Sequence, residues 1–320
     1  MTISVISTFF NEEENINFFY EQIKNLFNKK KTDYEFIFIN DCSTDKSEQV
    51  VRKICEKDQK VKLINTSRKF GMQECFYAGL EYMSGDAAIM IDTDLQDPPE
   101  LIEKMIDYYE KGYEVVHTRR TKREGENFFK MLMTKYAYKI INVFSEIKFT
   151  ENSGIFKLFT KRVVKIILST NDYDPYLRGM FNWVGFKQIT LDYERKPRIK
   201  GETKFKLFDI LTFKTLNPWK EVVRGITSFS LVPLYLPLIF GFIMSIISFF
   251  LIIYFFIQRL FGDDITSGWT SLFLAILFIG GLILVILGTI GIYIGKMFEI
   301  LRGRPKYIVN NTVNVDKKHD

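Results

Sequence analysis

The sequence predicts an α/β domain built on a mainly parallel sheet, followed by a helical hairpin in a membrane. Strand-like and helix-like segments alternate through the first half, polar clusters follow two early strands, and two long stretches of the second half contain no ionisable residue. Strands that alternate with helices indicate βαβ units, whose connections place neighbouring strands parallel. We therefore expect a nucleotide-type fold with its ligand crevice at the carboxyl ends of the strands.

Hydrophobic periodicity defines the alternating segments. In chain order they are predicted as strand Ile3–Phe9, helix Glu12–Asn28, strand Glu35–Asn40, helix Lys46–Lys57, strand Val61–Ile64, helix Gly71–Met83, a strand that ends at Asp92, helix Pro98–Lys111 and strand Val115–Thr118. The polar clusters that follow the first two strands are Asn11–Glu14 and Asn40–Asp45. The sequence has no Gly-x-Gly-x-x-Gly after the first strand and no Walker loop, so a glycine-rich phosphate cradle is not expected.

Composition sets few limits on function. The 320 residues carry a net charge of +6, which anionic headgroups or phosphates explain as well as nucleic acid does, and we expect no nucleic-acid partner. The three cysteines, Cys42, Cys55 and Cys75, lack metal-binding spacing, which favours reduced, unpaired thiols. No secretory signal precedes the first strand, so we expect the first domain to stay in the cytoplasm.

Two apolar stretches lie near the end of the chain. Leu231–Ile257 and Ile265–Ile294 contain no ionisable residue, and each exceeds the roughly 20 residues that cross a bilayer as a helix. Neither stretch has the polar face of a core helix, so we expect transmembrane helices over 231–257 and 269–294. Lys and Arg are concentrated outside this pair rather than in the link 258–264, which predicts a multi-pass protein of the cell (inner) membrane with both termini cytoplasmic.

Two basic, aromatic segments are predicted to be amphipathic helices. Glu126–Ile147 suits a helix on a membrane surface, although a helix that faces a protein core would have the same pattern. Phe205–Val223 directly precedes the first apolar stretch, which favours a position at the membrane interface.

The strongest chemical signal follows the buried run 87–91. Asp92, Asp94 and Gln96 alternate along the chain, so in an extended segment they project to the same side. Their oxygen atoms suit Mg²⁺ or Mn²⁺ better than zinc, and such sites keep open positions for phosphate oxygens. The motif Asp-x-Asp is also common in the loops of soluble proteins, and here it could simply end a strand.

Other polar residues allow two interpretations. Asp41 could either cap a helix or bind a ligand. Ser43 or Thr44 could cap the second helix. Asp97 and Glu100 equally suit the start of the following helix, opposite its dipole.

His117 is expected to pack beside its strand, since no residues nearby would complete a catalytic triad with it.

Several motifs in a fixed order make the chain resemble a family 2 glycosyltransferase of the polyprenyl-phosphate type, similar to dolichol-phosphate mannose synthases and bactoprenol glucosyltransferases. The resemblance covers nearly the whole chain. It is carried by residues 7–13, 40–45, 67–71, 78–80, 85–86, 92–100, 178–179, 183–186, 198–204, 225–230 and 304–307.

The resemblance implies a GT-A, Rossmann-like nucleotide-sugar domain and assigns roles to individual residues. The nucleotide site would contain Thr8, Phe10, Glu12, Ile39, Asp41, Arg68, Asp92, Thr93 and Asp94. Asp92, Asp94 and Gln96 would hold Mg²⁺ or Mn²⁺ against the donor diphosphate, which makes Asp94 a catalytic candidate as well. The remaining catalytic candidates are Arg119, Arg198 and Lys204, which meet phosphates, and Glu151, which assists the acceptor.

The chain departs from the family pattern at three positions. Thr8 and Phe10 stand where proline and tyrosine are usual, and Ile155 stands where bacterial relatives often have an aspartate that has been considered catalytic. A lipid phosphate, whose second pKa is about 6, is already ionised near neutral pH and can attack without a protein base. The substitution at 155 is therefore compatible with activity.

The resemblance implies transfer of a sugar from a nucleotide diphosphate, UDP rather than GDP by preference, to undecaprenyl or another polyprenyl phosphate with inversion. The expected domains are a cytoplasmic GT-A catalytic domain (1–204), a juxtamembrane amphipathic segment (205–230), two transmembrane helices (231–295) and a cytoplasmic basic tail (296–320). Expected partners are the sugar donor, the lipid acceptor, the bilayer, further copies of the chain in a homo-oligomer such as a tetramer, and a flippase. A processive polysaccharide synthase and a non-catalytic membrane scaffold are the alternatives.

Overall fold

The computed structural model describes residues 1–122, 153–170, 176–194, 229, 232–260 and 269–315. The strands in these ranges are β1 (Thr2–Phe9), β2 (Asp33–Asn40), β3 (Val61–Thr66), β4 (Ala87–Met90), β5 (Val115–Lys122), β6 (Ser153–Thr160), β7 (Gln188–Glu194) and β8 (Val309–Val313). The helices are α1 (Ile16–Lys30), α2 (Ser47–Lys57), α3 (Met72–Glu81), α4 (Leu101–Glu110), α5 (Lys161–Ser169), α6 (Leu177–Trp183), α7 (Val232–Leu260) and α8 (Trp269–Leu301).

All the described strands belong to one sheet, in the order β7-β5-β6-β4-β1-β2-β3-β8. The central four, β4, β1, β2 and β3, are parallel to one another, which confirms the predicted α/β class. The sheet is not parallel throughout, because β6 lies between β4 and β5 and is antiparallel to both. The strand predicted after α4 therefore does not join β4 directly.

Helices cover both faces of the sheet. One apolar cluster lies against α1, α2 and α4, and a second lies against α3, α5 and α6. Residues 34–41 of β2 and its end are buried on both sides of the strand, as expected for a parallel strand that is covered on two faces. The core therefore consists of two layers that fix the strands and leave their carboxyl ends to the loops.

The predicted segments in 1–122 are present, with small shifts at their ends. The strand before the aspartate motif ends at Met90 rather than at Asp92, although Ile91 N still donates to Ile6 O of β1 at 3.1 Å. The capping prediction was wrong: α2 has no side-chain cap, and the Ser43 hydroxyl accepts a hydrogen bond from Asn11 N at 3.1 Å instead.

Three loops at the carboxyl ends of strands contain a left-handed residue. Asn11, Cys42 and Leu95 have φ angles of 55°, 58° and 58° and follow β1, β2 and β4. Non-glycine residues adopt this conformation rarely. The three loops lie at the edge of the sheet where ligands bind in open α/β folds.

The helices α7 and α8 contain the two predicted apolar stretches and contact each other. Within the described residues one helix is long and apolar enough to cross a membrane, over Phe278–Leu301, with a mean hydropathy of 2.3 and no burial. The apolar helix in α7 is the shorter stretch Val232–Ile243. The two-span hairpin and its orientation therefore stay predictions. The segments Glu126–Ile147 and Phe205–Val223 lie outside the described residues.

The segment expected to be a basic tail, 296–320, contains the end of α8 and strand β8. Strand β8 follows α8 and pairs antiparallel with β3, where Asn65 lies opposite Asn311. Asn314 closes the far end of this pairing, since its Nδ2 donates to Cys55 O at 2.8 Å and to Val61 O at 2.9 Å. Val309–Val313 thus pairs with β3, a strand whose edge would otherwise be open.

Glu35 ties together the opposite, amino-terminal edge of the sheet. Its carboxylate accepts hydrogen bonds from Lys62 Nζ, Ser84 Oγ and Ser84 N, each at 2.6 Å, and from Gly85 N at 3.0 Å. The side chain is 6% exposed, so these donors replace the water that burial removes. Burial alone would raise the pKa of Glu35, but the hydrogen bonds from Lys62, Ser4 and Ser84 outweigh it and lower that pKa to about 2.

Candidate active site

The aspartate motif forms the loop that follows β4. Asp92, Asp94 and Gln96 are partly exposed, whereas the residues between them are buried. Gln96 N also donates a hydrogen bond to Asp94 Oδ1 at 3.2 Å, which fixes the turn between those two residues. The loop therefore presents its two carboxylates and one amide to the solvent side, as the alternation in sequence predicts.

Asp97 anchors this loop to the sheet. Its carboxylate, 1% exposed, pairs with Arg120 on β5 at 3.4 Å and accepts a hydrogen bond from the Tyr193 hydroxyl on β7. Arg120 Nε donates to the same hydroxyl at 2.9 Å, so the three side chains form a closed triangle. Asp97 thus has a tertiary role, and the alternative of a helix-start residue does not account for its burial.

The triangle is electrostatically coupled to the candidate metal ligands. Burial lowers the pKa of Arg120, but Asp97, Tyr193 and, to a smaller extent, Asp92 together outweigh burial and raise that pKa. Arg120 is therefore a permanent cation beside the loop. Gly154 on β6 leaves room for it, since a Cβ there would lie 2.9 Å from Arg120 Nη2.

Arg119, the predicted catalytic arginine, lies on the other face of β5. It forms a two-pronged ion pair with Asp192 on β7, with Nε to Oδ1 at 2.7 Å and Nη2 to Oδ2 at 2.8 Å. Both side chains are about half exposed, at 48% and 47%. The hydrogen bonds to the aspartate loop come from the adjacent Arg120, because neighbouring residues of a strand face opposite ways.

The loops after β1 and β2 are joined side by side. Asn11 Oδ1 accepts a hydrogen bond from Thr44 N at 2.8 Å, and Glu12 N donates to Ser47 Oγ at 2.8 Å. The Glu12 carboxylate accepts from Asn15 Nδ2 at 2.8 Å and is partly exposed. The two polar clusters seen in the sequence therefore form one continuous wall at the carboxyl edge of the sheet.

Asp41 lies at the end of β2 and holds the start of α3. Its Oδ1 accepts hydrogen bonds from Phe70 N at 2.7 Å and Gly71 N at 3.2 Å, and its side chain is buried. Cys75 lies beside it, where burial and the Asp41 carboxylate both raise the pKa of the thiol. A neutral thiol can donate a hydrogen bond to the Asp41 carboxylate, as a buried polar group requires.

Two cations stack on aromatic rings above this wall. Lys69 Nζ lies 3.6 Å from the centre of the Phe10 ring, and Arg68 Cζ lies 3.9 Å from the centre of the Phe70 ring. Phe10 and Arg68, both predicted for the nucleotide site, are thus brought to the same loop region. Both cations are exposed, so this loop region carries positive charge.

The remaining predicted nucleotide residues have packing roles that the structure shows. Thr93 Oγ1 donates to Thr8 O at 3.4 Å, which joins the end of β1 to the aspartate loop, and both residues are buried. Ile39 is fully buried under α3, where a Cβ on Gly79 would lie 2.9 Å from its Cδ1. Their contact with a nucleotide stays a prediction.

The donor atoms of the aspartate loop fit a metal that is completed by its substrate. In the described parts of the chain, no group of three or more His, Cys, Asp or Glu residues could enclose a metal ion. Two carboxylates and one amide oxygen leave coordination positions open, which is how Mg²⁺ is usually held next to phosphates. The set at Asp92, Asp94 and Gln96 thus suits a metal that the donor diphosphate would share.

Ile155 and His117 lie in the apolar layer under α6. Ile155 is 5% exposed and belongs to the core, so position 155 offers no carboxylate to the site. His117 is buried between Gln188 and Lys157, with Nε2 to Gln188 Oε1 at 2.8 Å and Nδ1 to Lys157 Nζ at 3.0 Å. Burial, with Lys157 as a further cause, lowers the pKa of His117 to about 3. The expectation that His117 packs beside its strand is confirmed.

Three predicted catalytic residues, Arg198, Lys204 and Glu151, lie outside the described residues. Sequence reasoning missed Arg120, Tyr193 and Lys69. Arg120 is adjacent to the predicted Arg119. The two residues face opposite sides of the strand, but the sequence does not show which side faces the site. Tyr193 and Lys69 reach the site through tertiary contacts, which no local pattern encodes.

The sequence was compared with known families and proteins. The sequence model of the family described as Glycosyl transferase family 2 matches residues 4–168, from β1 to α5. This match spans the sheet core, the aspartate loop and both of the joined loops.

Three relatives match along nearly the full chain. An uncharacterized glycosyltransferase, YkcC, of Bacillus subtilis is 38% identical over 98% of this chain and 95% of its own length. The prophage bactoprenol glucosyl transferase homolog of Escherichia coli is 33% identical over 97% and 98%, and the bactoprenol glucosyl transferase of Shigella phage SfV is 34% identical over 97% and 99%. The similarity therefore extends through the apolar helices to β8.

Proposed function

Because the chain belongs to glycosyl transferase family 2, we propose that this enzyme moves a sugar from a nucleotide diphosphate to a polyprenyl phosphate at the cytoplasmic face of a membrane. One observation carries the proposal: Asp92, Asp94 and Gln96 are presented together at the carboxyl edge of the central strands. Ligands bind at this edge in open α/β sheets. The adjoining loops after β1 and β2 supply the wall against which a nucleotide would lie.

The metal would be Mg²⁺ or Mn²⁺, held by Asp92, Asp94 and Gln96. When bound, it would neutralise negative charge on the departing diphosphate. Asp97 keeps these ligands in place through Arg120 and Tyr193, so the loop is positioned before the donor arrives. Preorganised charges of this kind stabilise a transition state without a reorganisation cost.

The nucleotide would lie between the Phe10 and Asp41 loops. Phe10 offers an aromatic face, and Asp41 offers a carboxylate that is already oriented by Phe70 N and Gly71 N. Lys69 and Arg68 add exposed positive charge next to that face. We propose a UDP-linked donor and take glucose as the first sugar to test, because relatives are named glucosyl transferases.

The acceptor would be undecaprenyl phosphate or a similar polyprenyl phosphate. The bactoprenol named in two relatives and the exposed apolar helix over Phe278–Leu301 support a lipid acceptor and membrane association. An ionised phosphate needs no proton acceptor, so the buried Ile155 in place of a carboxylate is compatible with this chemistry.

The reaction would be a single displacement at the anomeric carbon with inversion. The phosphate oxygen forms the new bond to carbon as the bond to the donor's diphosphate breaks, and the nucleotide diphosphate leaves with that electron pair. Two anions must meet at the site, so we assign phosphate contacts to Arg119, Arg198 and Lys204, and acceptor assistance to Glu151. A homo-oligomer and a flippase partner remain predictions.

A labelled-sugar assay with the purified full-length protein tests this proposal. Membranes or nanodiscs that contain undecaprenyl phosphate are incubated with Mn²⁺ and radioactive UDP-glucose, and a panel of UDP- and GDP-sugars follows. Label in an organic-extractable, acid-labile lipid is expected. Label in a polymer would favour a processive synthase, and the absence of transfer from every donor in the panel would overturn the proposal.

A further inference from the structure

Strand β8 is connected to the candidate donor site by a chain of amide hydrogen bonds. Asn65 Nδ2 donates to Asn311 Oδ1 at 2.7 Å, Asn40 Nδ2 donates to Asn65 Oδ1 at 2.9 Å, and Ser43 N donates to Asn40 Oδ1 at 2.9 Å. Asn40 and Asn65 are buried, at 2% and 3% exposure. We call Asn311, Asn65, Asn40 and Ser43 the polar chain; it crosses the ends of β8, β3 and β2.

The polar chain ends at residues that shape the candidate site. Ser43 Oγ accepts a hydrogen bond from Asn11 N at 3.1 Å, so the polar chain extends to the loop after β1. Asn40 is the residue before Asp41, and its carbonyl accepts from Thr66 Oγ1 at 3.0 Å. The backbone on both sides of Asp41 is therefore fixed from β3, and through β3 from β8.

The residue just before β8 also holds the loop 67–71, which contacts Asp41. Ile308 O, just before β8, accepts a hydrogen bond from Ser67 N at 2.9 Å. Ser67 begins the loop that carries Lys69 and ends at Gly71, whose amide reaches Asp41. Both segments that face Asp41 are thus tied to a part of the chain that follows the apolar helices.

We propose that β8 is a positioning element of the donor site and that Asn311 is its positioning residue, acting through Asn65 and Asn40 on the backbone around Asp41. This inference rests on the proposed nucleotide-sugar donor. A loop that is already held in its binding conformation loses less entropy when the ligand binds, so loss of the anchor weakens nucleotide binding more than it slows the subsequent chemistry.

The chemistry of Asn311 makes the proposal specific. Its Oδ1 is the acceptor for both Asn65 Nδ2 and Arg52 Nη2, the latter at 3.0 Å. An aspartate at 311 would keep an acceptor oxygen for Asn65 and pair with Arg52, which also pairs with Glu48 at 2.7 Å. An alanine would leave Asn65 Nδ2 with its longer hydrogen bond to Glu48 Oε1, at 3.2 Å. Asn311→Asp is therefore the conservative rescue, and Asn311→Ala is the disruptive change.

The test uses the full-length protein in nanodiscs with UDP and GDP as probes. For Asn311→Ala, we expect the Kd of the bound nucleotide and the KM of the sugar donor to rise about fivefold, the effect of one lost hydrogen bond. The kcat at saturating donor and the KM of the lipid acceptor should stay unchanged. Amide hydrogen exchange over residues 41–45 should become faster. Asn311→Asp should restore both the affinity and the slow exchange.

Two controls separate positioning from a general loss of stability. Asn310→Ala changes the neighbouring, exposed asparagine of β8 and should leave affinity and exchange unchanged. Asn314→Ala loosens the other end of β8 and should lower the Tm without changing the nucleotide Kd. An equal rise in Kd for Asn314→Ala and Asn311→Ala would overturn the role of the polar chain, as would unchanged binding in Asn311→Ala.

The exchange measurement separates this proposal from the proposed function. If the wild-type protein bound neither UDP nor GDP, the proposed donor would be wrong and so would the effect of Asn311 on its affinity. Exchange over residues 41–45 that is the same in Asn311→Ala and wild type would overturn the positioning role itself, whatever the donor.

Discussion

Asp94 has two features that make its carboxylate hard to replace. It accepts a hydrogen bond from Gln96 N, and it is presented beside Asp92 on the partly exposed side of the loop. A ligand atom that is held by its own loop needs little rearrangement to bind a metal. The consequence for activity can be measured directly.

Asp94→Ala should reduce sugar transfer by about 100-fold or more, because a charge-stabilising group on the leaving diphosphate is lost. Initial rates at saturating Mn²⁺ and donor measure the effect. Asp107→Ala removes an exposed carboxylate that pairs with Lys30 and should keep wild-type rates. Equal rates for Asp94→Ala and Asp107→Ala would remove Asp94 from the proposed metal site.

Tyr193 supplies the hydroxyl that joins Arg120 to Asp97. Burial and the neighbouring Asp97 raise the pKa of Tyr193, so the hydroxyl stays protonated and continues to donate. Tyr193 therefore supports the aspartate loop and is not one of the proposed metal ligands. Removal of the hydroxyl should therefore weaken metal binding without abolishing transfer.

Tyr193→Phe should lower the free energy of unfolding by about 1 kcal/mol, the usual contribution of one hydrogen bond. It should also raise the Mn²⁺ concentration for half-maximal activity by about tenfold, as changes behind metal ligands do. Titration of activity with Mn²⁺ and urea unfolding measure the two effects. Tyr108→Phe, on α4, is the matched control. A metal titration identical to wild type in Tyr193→Phe would contradict the supporting role.

At the scale of elements, periodicity predicted the first nine segments because their apolar residues face a core on both sides of a parallel sheet. It did not predict that β6 enters between β4 and β5, since strand order depends on long-range pairing. Likewise, the alternate spacing of Asp92, Asp94 and Gln96 predicted that their side chains lie on the same side of the loop. The triangle behind it could not be predicted, because Asp97, Arg120 and Tyr193 come from three distant elements.

The amino-terminal edge of the sheet depends on Glu35, which links β2 to β3 and to the turn before β4. Its lowered pKa means that the folded state favours the ionised carboxylate. The resulting stability is present above the ordinary pKa of 4.5 and is lost as the pH falls through the folded-state value of about 2.

Glu35→Gln should therefore destabilise the protein most near neutral pH, by up to about 3 kcal/mol for a shift of this size. The difference in unfolding free energy between wild type and Glu35→Gln should shrink as the pH is lowered from about 5 to 3. Urea unfolding at several pH values measures it. Asp33→Asn, an exposed carboxylate on the same strand, should show a much smaller difference. A difference that does not change with pH would contradict the coupling to ionisation.

At the scale of the whole molecule, α8 presents apolar side chains to the outside along its length. Leu284 is 71% exposed and Leu287 is 57% exposed, which a water-soluble helix would not tolerate in series. The sequence predicted two membrane helices from composition, and one of them meets the criteria of length and hydropathy in the described residues. Orientation depends on loop charge and on segments that the structure does not describe.

Substituting Leu284 and Leu287 together by Arg should release the protein from membranes, because each charge at the centre of a membrane helix costs about 3 kcal/mol. Alkaline extraction of membranes, followed by detection of the protein in the soluble and pelleted fractions, measures this. Leu284→Ile with Leu287→Ile preserves hydropathy and should stay in the pellet. Retention of the double Arg variant in the pellet would show that α8 is not the anchor.

The position of β8 after both apolar helices has a consequence for biosynthesis. The ribosome releases Val309–Val313 only after α7 and α8 have been made, so β3 keeps an open edge until late in synthesis. An open edge is prone to pair with other chains, and here it closes when β8 pairs with β3. Completion of the sheet is thereby timed after synthesis of α7 and α8, and a fragment that ends before α7 would expose the unpaired edge of β3.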